Sequence, residues 1–266
     1  MASLFQVITL FPEAIAQFAG YGVLSQAVKK ELLQIESINP RKFTTDVHHS
    51  VDDRPFGGGD GMCMTVDALA PAVDEARARA PGARLIYVSP QGRPLTNAVA
   101  KELAQAGDLI FLSGRYAGVD QRLLNRYAFE EISIGDYVLS GGELAAMVII
   151  DAAARFIPGV LGHQDSSQAD SFEGGVLEAP QFTRPREIQG QAVPEVLMSG
   201  NHAKISEWRG QVSRLVTLKK RPDLFHALKL SMKELKSLRD FLAAMPSEER
   251  AVLGLTELDL DKEISR

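Results

Sequence analysis

Ser133-Ile134-Gly135-Asp136-Tyr137-Val138-Leu139-Ser140-Gly141-Gly142 join a short apolar run to a long one. A turn of this composition offers backbone N–H and C=O groups with little bulky charge, which suits a neutral adenine edge. In open α/β sheets ligands sit outside the carboxyl ends of strands, where such a turn would fall. Its Gly141-Gly142 pair lets the chain bend tightly into the longer apolar run. Two earlier apolar runs end in a similar way, in Tyr87-Val88-Ser89-Pro90-Gln91-Gly92 and in Leu112-Ser113-Gly114-Arg115-Tyr116. Three such strand ends build one pocket, or they are three ordinary turns; spacing alone supports both equally. A second glycine cluster, Arg54-Pro55-Phe56-Gly57-Gly58-Gly59-Asp60-Gly61, can take positive φ and lie against a flat ligand. Glycine clusters are more often plain loops, but the adjoining Asp52-Asp53-Arg54 shifts this one toward function.

Several other chemistries are excluded. There is no G-x-x-x-x-G-K-[ST] phosphate loop and no Cys/His cluster with zinc spacing, since His48 and His49 are adjacent. The first apolar run is followed by Phe11-Pro12-Glu13, so the glycine fingerprint of a first-turn dinucleotide site is missing. The single cysteine, Cys63, forms no internal disulfide, and a reducing, cytoplasmic setting is the expectation. The first ten residues lack a basic leader and do not read as a signal peptide. The apolar run over 144–150 is too short to span a bilayer, so no membrane association is expected.

The elements that would position these turns can be read from the periodicity. Apolar runs over 4–10, 32–38, 84–88, 109–112 and 131–134 predict strands, and amphipathic stretches over 23–31, 66–80, 96–106 and 119–127 predict helices. Residues 143–156 predict a long buried helix ended by Pro158-Gly159. Alternation of this kind implies an α/β domain with a mostly parallel sheet over 1–160. Residues 161–193, with His163-Gln164-Asp165-Ser166-Ser167 and Gly174-Gly175, are expected to form a linker with little regular structure. Residues 194–266 are expected to be a small helical domain. Asn201 would cap its first helix, Arg221-Pro222 would break it, and Ser231-Met232-Lys233-Glu234 is a capping box. Between residues 201 and 239 stand ten Lys/Arg against three acids, in a chain of formal charge −5. A solvated helix face and a phosphate-binding surface account equally well for that local excess.

Taken together, these segments resemble the bacterial tRNA (guanine-N1)-methyltransferases, the TrmD family of the SPOUT superfamily. The resemblance is carried by Val51-Asp52-Asp53-Arg54-Pro55 with its glycines, Ser89-Pro90-Gln91-Gly92-Arg93, Gly114-Arg115-Tyr116 and the stretch from Ser133 to Glu143. It continues through Arg155-Phe156-Ile157-Pro158-Gly159-Val160-Leu161-Gly162, Asp170-Ser171-Phe172, Thr183-Arg184-Pro185 and Ser199-Gly200-Asn201-His202. It implies a parallel α/β sheet with a deep trefoil knot, a connection otherwise very rare, and a C-terminal helical tRNA-binding domain. S-Adenosylmethionine would be the methyl donor, held by Tyr87, Ser89, Pro90, Gly114, Ser133, Ile134, Gly135, Asp136, Tyr137, Val138, Leu139, Gly141 and Gly142. The product would be N1-methylguanosine immediately 3′ of the anticodon in tRNA. Asp170 would act as general base and Arg155 as electrostatic stabiliser, in a site between the subunits of a homodimer. Magnesium dependence is implied too, although no dedicated metal cage is visible.

The chain departs from the family pattern at three places. After Gly114-Arg115-Tyr116 the family usually carries a glutamate associated with base binding, and here stands Ala117, so that role is not transferred. Phe56 replaces a tyrosine and loses its hydroxyl, while Asp60 replaces a proline and adds charge and flexibility. The alternatives are a knotted methyltransferase with another RNA target, such as a ribose hydroxyl, and a non-catalytic RNA-binding protein of the same fold. A nucleotide-binding oxidoreductase is disfavoured by the missing first-turn glycines.

Overall fold

Strand-forming runs with apolar residues on both faces can be buried only in a sheet covered on both sides, and five of them form one. The computed structural model describes residues 2–58, 60–161 and 170–264, and the chain divides into two compact units, Met1–Gln164 and Asp165–Arg266. In the first unit, β1 (Ser3–Ile8) is followed by α1 (Pro12–Ala19), α2 (Gly22–Lys29) and β2 (Leu33–Ile38). The short strands β3 (Asp52–Asp53) and β4 (Cys63–Met64) flank the glycine cluster and pair antiparallel. Then come α3 (Val66–Arg79), β5 (Arg84–Pro94), α4 (Asn97–Gln105), β6 (Leu109–Ser113), α5 (Gln121–Tyr127), β7 (Glu130–Ser133) and α6 (Glu143–Ala154). The main sheet has the order β2-β1-β6-β5-β7 and every pairing in it is parallel.

Strand alternation sorts the core into two layers. Phe5, Val7, Leu109 and Phe111 face α1, α2, α4 and α6, whereas Ile8, Ile110 and Leu112 face α3 and α5. All five residues of β6 are buried, as a central parallel strand requires. One polar side chain interrupts the second layer: Gln6, fully buried, donates from Nε2 to the Ala76 carbonyl at 2.9 Å.

Two departures from the sequence expectation bear on the site. Phe11-Pro12-Glu13 ends β1 as expected but also starts α1, with Pro12 in the first turn, where its missing N–H is harmless, and Glu13 beside it. The other concerns β5, which does not stop at Val88. Val88 pairs with Ile132, residues 89–92 leave the ladder, and Arg93 pairs with Ile132 again before Pro94 meets Ser133. Gly92 makes this return possible, because a Cβ there would overlap the backbone of Glu131 and Ile132.

That return is clamped from outside. Arg84 and Arg93 both pair with Glu102 on α4, at 2.7 and 3.0 Å, and both pair with Glu130 on β7. Hydrogen bonds from Arg93, then from Arg84, pull the Glu102 carboxyl from 4.5 down to about 2. A carboxyl held down in the folded state stabilises the fold above its unfolded value and loses that contribution as pH falls toward the folded one. The acid unfolding curve of Glu102→Gln should therefore be flatter than that of the unsubstituted protein between about pH 4.5 and 2. Superimposable curves by circular dichroism in that window would show that solvent screens the network to nothing.

In the second unit, residues 170–193, expected as linker, include the hairpin β8 (Glu187–Ile188) and β9 (Gln191–Ala192). Its two-residue turn, Gln189-Gly190, has positive φ at both positions. Ala179 is buried in this unit's core, and the Leu177 N–H donates to Thr217 Oγ1 at 2.8 Å. A few apolar residues among glycines and prolines thus anchor the segment to the helices. The expected breakers at 163–167 lie outside the described residues. Helices α7 (His202–Lys220), α8 (Pro222–Ala227), α9 (Met232–Ala244), α10 (Ser247–Val252) and α11 (Leu260–Ile264) follow. Asn201 caps α7 by accepting from the Lys204 N–H, and Ser231 and Glu234 form the capping box of α9. Trp208, Val212, Leu215 and Leu238 form the centre of the core.

Candidate functional site

The carboxyl ends of β5, β6 and β7 meet around a cleft of about 270 Å³. Its walls are residues 87–91, 114–119, 131–135 and 137–142, closed by Gln121, Leu124 and Ala145. Every residue expected to hold a cofactor lines it except Asp136. Three turns that were separate in sequence therefore share one cavity, at the end of the sheet where ligands of open α/β folds sit.

Close backbone contact brings them there. The Gly142 N–H donates to the Gly114 carbonyl at 2.8 Å, and Arg115 and Gly141 form an antiparallel bridge. A Cβ on Gly142 would lie 2.6 Å from Val88 Cγ2 and 2.9 Å from both Gly114 N and Ser113 Cα. A Cβ on Gly114 would meet the Tyr87 hydroxyl at 2.9 Å. The turn also folds on itself: Tyr137 donates from its hydroxyl to the Ile134 carbonyl at 3.2 Å and from its N–H to the Gly135 carbonyl at 2.9 Å. Val138 at its tip is 87% exposed. Burial pushes the Tyr87 phenol up, with the Glu131 carboxylate adding to the shift, so Tyr87 stays a neutral donor and acceptor in the cleft wall.

A buried carboxylate that the spacing did not single out supports the turn. Glu143, 5% exposed, opens α6, where a negative charge is favoured by the helix dipole. Its Oε1 accepts from Thr9 Oγ1 at 2.9 Å and its Oε2 from Arg115 Nε at 3.1 Å. Arg115 Nη1 donates on to the Ser140 carbonyl at 3.3 Å, and the guanidinium sits 4.3 Å from the centre of the Phe11 ring. Glu143→Gln keeps the shape but loses the charge and one acceptor, and should cost about 2 kcal/mol. It should lower the melting temperature and weaken ligand binding in the cleft, read by calorimetry. A variant with wild-type melting and affinity would show that the turn holds without this network.

The second glycine cluster is fastened beside the same cleft. Met64 donates its N–H to the Gly118 carbonyl at 2.9 Å, and Ala117 donates to the Met62 carbonyl at 2.8 Å. Gly61 faces Ala117 closely enough that a Cβ on the glycine would touch the alanine Cβ at 3.6 Å. Phe56 in the cluster is 99% exposed, and Gly59 lies outside the described residues.

Arg155, expected to be catalytic, is not in the cleft wall. Arg155 caps the carboxyl end of α6, the far end of the helix whose first turn touches the cleft. At 1.5 Å per residue that separation is roughly 18 Å. Asp170 is the first described residue of the second unit, and its carbonyl accepts from the Glu173 N–H at 3.2 Å. Among the described residues no group of three or more His, Cys, Asp or Glu side chains is arranged to hold a metal ion. No described helix is long and apolar enough to cross a membrane.

Residues 3–227 match the family model described as tRNA (Guanine-1)-methyltransferase TrmD. A tRNA (guanine-N(1)-)-methyltransferase of Alcanivorax borkumensis is 53% identical over 247 residues, covering 91% of this chain and 93% of that protein. Its counterpart in Pseudomonas fluorescens is 52% identical over 238 residues, covering 89% and 95%. That of Pseudomonas syringae pv. tomato is 52% identical over 244 residues, covering 91% and 98%.

Proposed function

The chain belongs to the tRNA (guanine-1)-methyltransferase family, and from that premise we propose how its own residues carry out methyl transfer to N1 of a tRNA guanine. The observation that carries the assignment is the cleft at the ends of β5, β6 and β7, whose turns approach so closely at Gly114 and Gly142 that side chains are excluded. It suits S-adenosylmethionine. The Arg115 charge is already matched by Glu143, while Glu131 adds a carboxylate to the wall, so the cleft favours a cationic ligand over a phosphate. Tyr87, Ser89, Pro90, Gly114 and the turn over 133–142 would hold it, chiefly through backbone groups. When bound, it supplies an electrophilic methyl group on its sulfonium.

The acceptor has to be made nucleophilic by the protein, because guanine N1 carries a proton. Asp170 takes that proton as general base. Arg155 stabilises the negative charge that spreads to guanine O6 as the proton leaves. The acceptor is the guanosine 3′ of the anticodon, which must be splayed out of its loop to expose N1. The basic helices of the second unit hold tRNA phosphates, which position the RNA and do not read its bases.

The working form is a homodimer. Leu144 and Val148 lie four residues apart on α6 and are 59% and 46% exposed, an apolar face that fits a partner surface. The position of Arg155, at the far end of α6 from its own chain's cleft, supports a site completed by a second copy. The return of β5 along β7 and the Arg115–Gly141 bridge support the knotted SPOUT topology. Cytoplasmic action follows from the substrate. Magnesium finds no fitting cluster of His, Cys, Asp or Glu side chains among the described residues.

The deciding experiment is transfer of a labelled methyl group to a tRNA transcript carrying either guanosine or adenosine 3′ of the anticodon. Label should enter only the first and appear as N1-methylguanosine by mass spectrometry. Label in the adenosine transcript, or on a ribose hydroxyl, would overturn the assignment.

A further inference from the structure

The second unit contains a cleft of its own, of about 650 Å³, between residues 180–198 and the first two turns of α7. Its lining divides by chemistry. Arg184, Arg186 and Arg209 bring three guanidinium groups, and among the described residues no acidic side chain lines the cleft. Phe182, Leu197 and Ile205 form an apolar wall, each half-buried against the unit's core or lining the cleft from α7. Arg184 and Arg209 form no ion pair among the described residues, and Arg186 has only a long contact, 3.8 Å, with the exposed Glu195. A pair of that kind contributes little and is screened by salt. The amino end of α7, a helix of 19 residues, opens on the same space and adds partial positive charge.

Three guanidiniums beside an apolar wall, two without an ion pair among the described residues and one with only a long, exposed pair, select for a particular ligand. Their charge and fork geometry match phosphodiester oxygens. A purely anionic ligand would leave the wall exposed, and an apolar peptide would leave the guanidiniums without partners. A nucleotide whose base is not paired satisfies both, with its phosphate on the arginines and its base on the wall. A base within a duplex cannot do so, because its faces are stacked and its edges are occupied. We infer that this cleft binds an unpaired nucleotide of the RNA substrate, its backbone on Arg184, Arg186 and Arg209 and its base against Phe182 and Ile205. The inference rests on the proposed action on tRNA and adds a second contact to a loop nucleotide, through residues that take no part in the methyl-transfer cleft. Arg184 and Arg186 precede the basic stretch over 201–239, so its charge excess alone would not reveal them.

The test is binding of a short single-stranded RNA oligonucleotide, and of a duplex of equal length, to the full chain by fluorescence anisotropy at several salt concentrations. The unsubstituted protein should bind the single strand more tightly than the duplex. Arg184→Ala with Arg209→Ala should weaken single-strand binding at least tenfold. It should also reduce the slope of log affinity against log salt by about 1.4, twice the value of about 0.7 per phosphate contact. The paired replacement by lysine should keep the slope and lose part of the affinity, since charge is retained and the fork is not. Wild-type affinity and slope in the alanine variant, with the unsubstituted protein still methylating tRNA, would overturn this inference and leave the methyl-transfer assignment standing. Equal binding of single strand and duplex would also overturn it. Failure of the unsubstituted protein to methylate tRNA would instead remove the premise.

Discussion

Asp170→Asn should abolish methyl transfer to tRNA while S-adenosylmethionine still binds. The amide keeps the size of the carboxylate and can still accept a hydrogen bond, but it cannot take the N1 proton. General-base catalysis is worth about 10²–10⁴-fold, so kcat should fall by that factor in single-turnover measurements. Cofactor affinity should hold, because the cleft is built from residues 87–145 of the first unit and Asp170 belongs to the second. The pH profile separates the base from a structural residue. Without its base, the enzyme depends on hydroxide or on the small ionised fraction of guanine, so the residual rate should climb about tenfold per pH unit. A merely structural aspartate would lower the rate by the same factor at every pH. Turnover at the wild-type rate would show that another group removes the proton.

The sheet was legible in the sequence because its strands carry short apolar-rich runs, continuous in the fully buried β6 and interrupted by polar residues in β2 and β7, and all five appeared within a residue or two of their ends except at the carboxyl end of β5. The helix over Pro12–Ala19 was not, since Phe11-Pro12-Glu13 resembles a stop and serves as a start. The strands at Asp52–Asp53 and Cys63–Met64 are too short to leave a period. As to the site, spacing identified three glycine-bearing turns but left open whether they meet. What decides it is contact at a distance in sequence, Gly142 against Val88 and Gly114, which no local pattern encodes. The same holds for Glu143, which reads as an ordinary first-turn acid until Thr9, 134 residues earlier, is placed beside it. Asp170 and Arg155 have no local signature of catalysis at all. Their roles rest on family resemblance, because a base and a cation become catalytic only where they meet the substrate.

Gly142→Ala should destroy the cofactor cleft, and it offers a way to count the chains in one active site. The new methyl would lie 2.6 Å from Val88 Cγ2 and 2.9 Å from the backbone of Gly114 and of Ser113. Val88 is buried and Ser113 is fully enclosed, so neither side can yield. Relief requires the turn to move off β6, which breaks the Gly142 N–H bond to the Gly114 carbonyl and draws Arg115 away from Glu143. Overpacking of this kind costs about 1–3 kcal/mol, and S-adenosylmethionine affinity should drop at least tenfold by calorimetry. The second unit has a core of its own, so its melting should be unchanged. This variant lacks the cofactor cleft but keeps Asp170; Asp170→Asn keeps the cleft but lacks the base. If each site combines the cleft of one chain with the base of another, mixed dimers contain one intact site. Co-refolding the two inactive variants should then restore activity, up to about a quarter of the wild-type level, since about half the dimers would be mixed and each would have one working site of two. If the mixture stayed as inactive as its components, with mixed dimers demonstrated by differential tagging, each chain would have to complete its own site, and Asp170 would act on the cleft of its own chain.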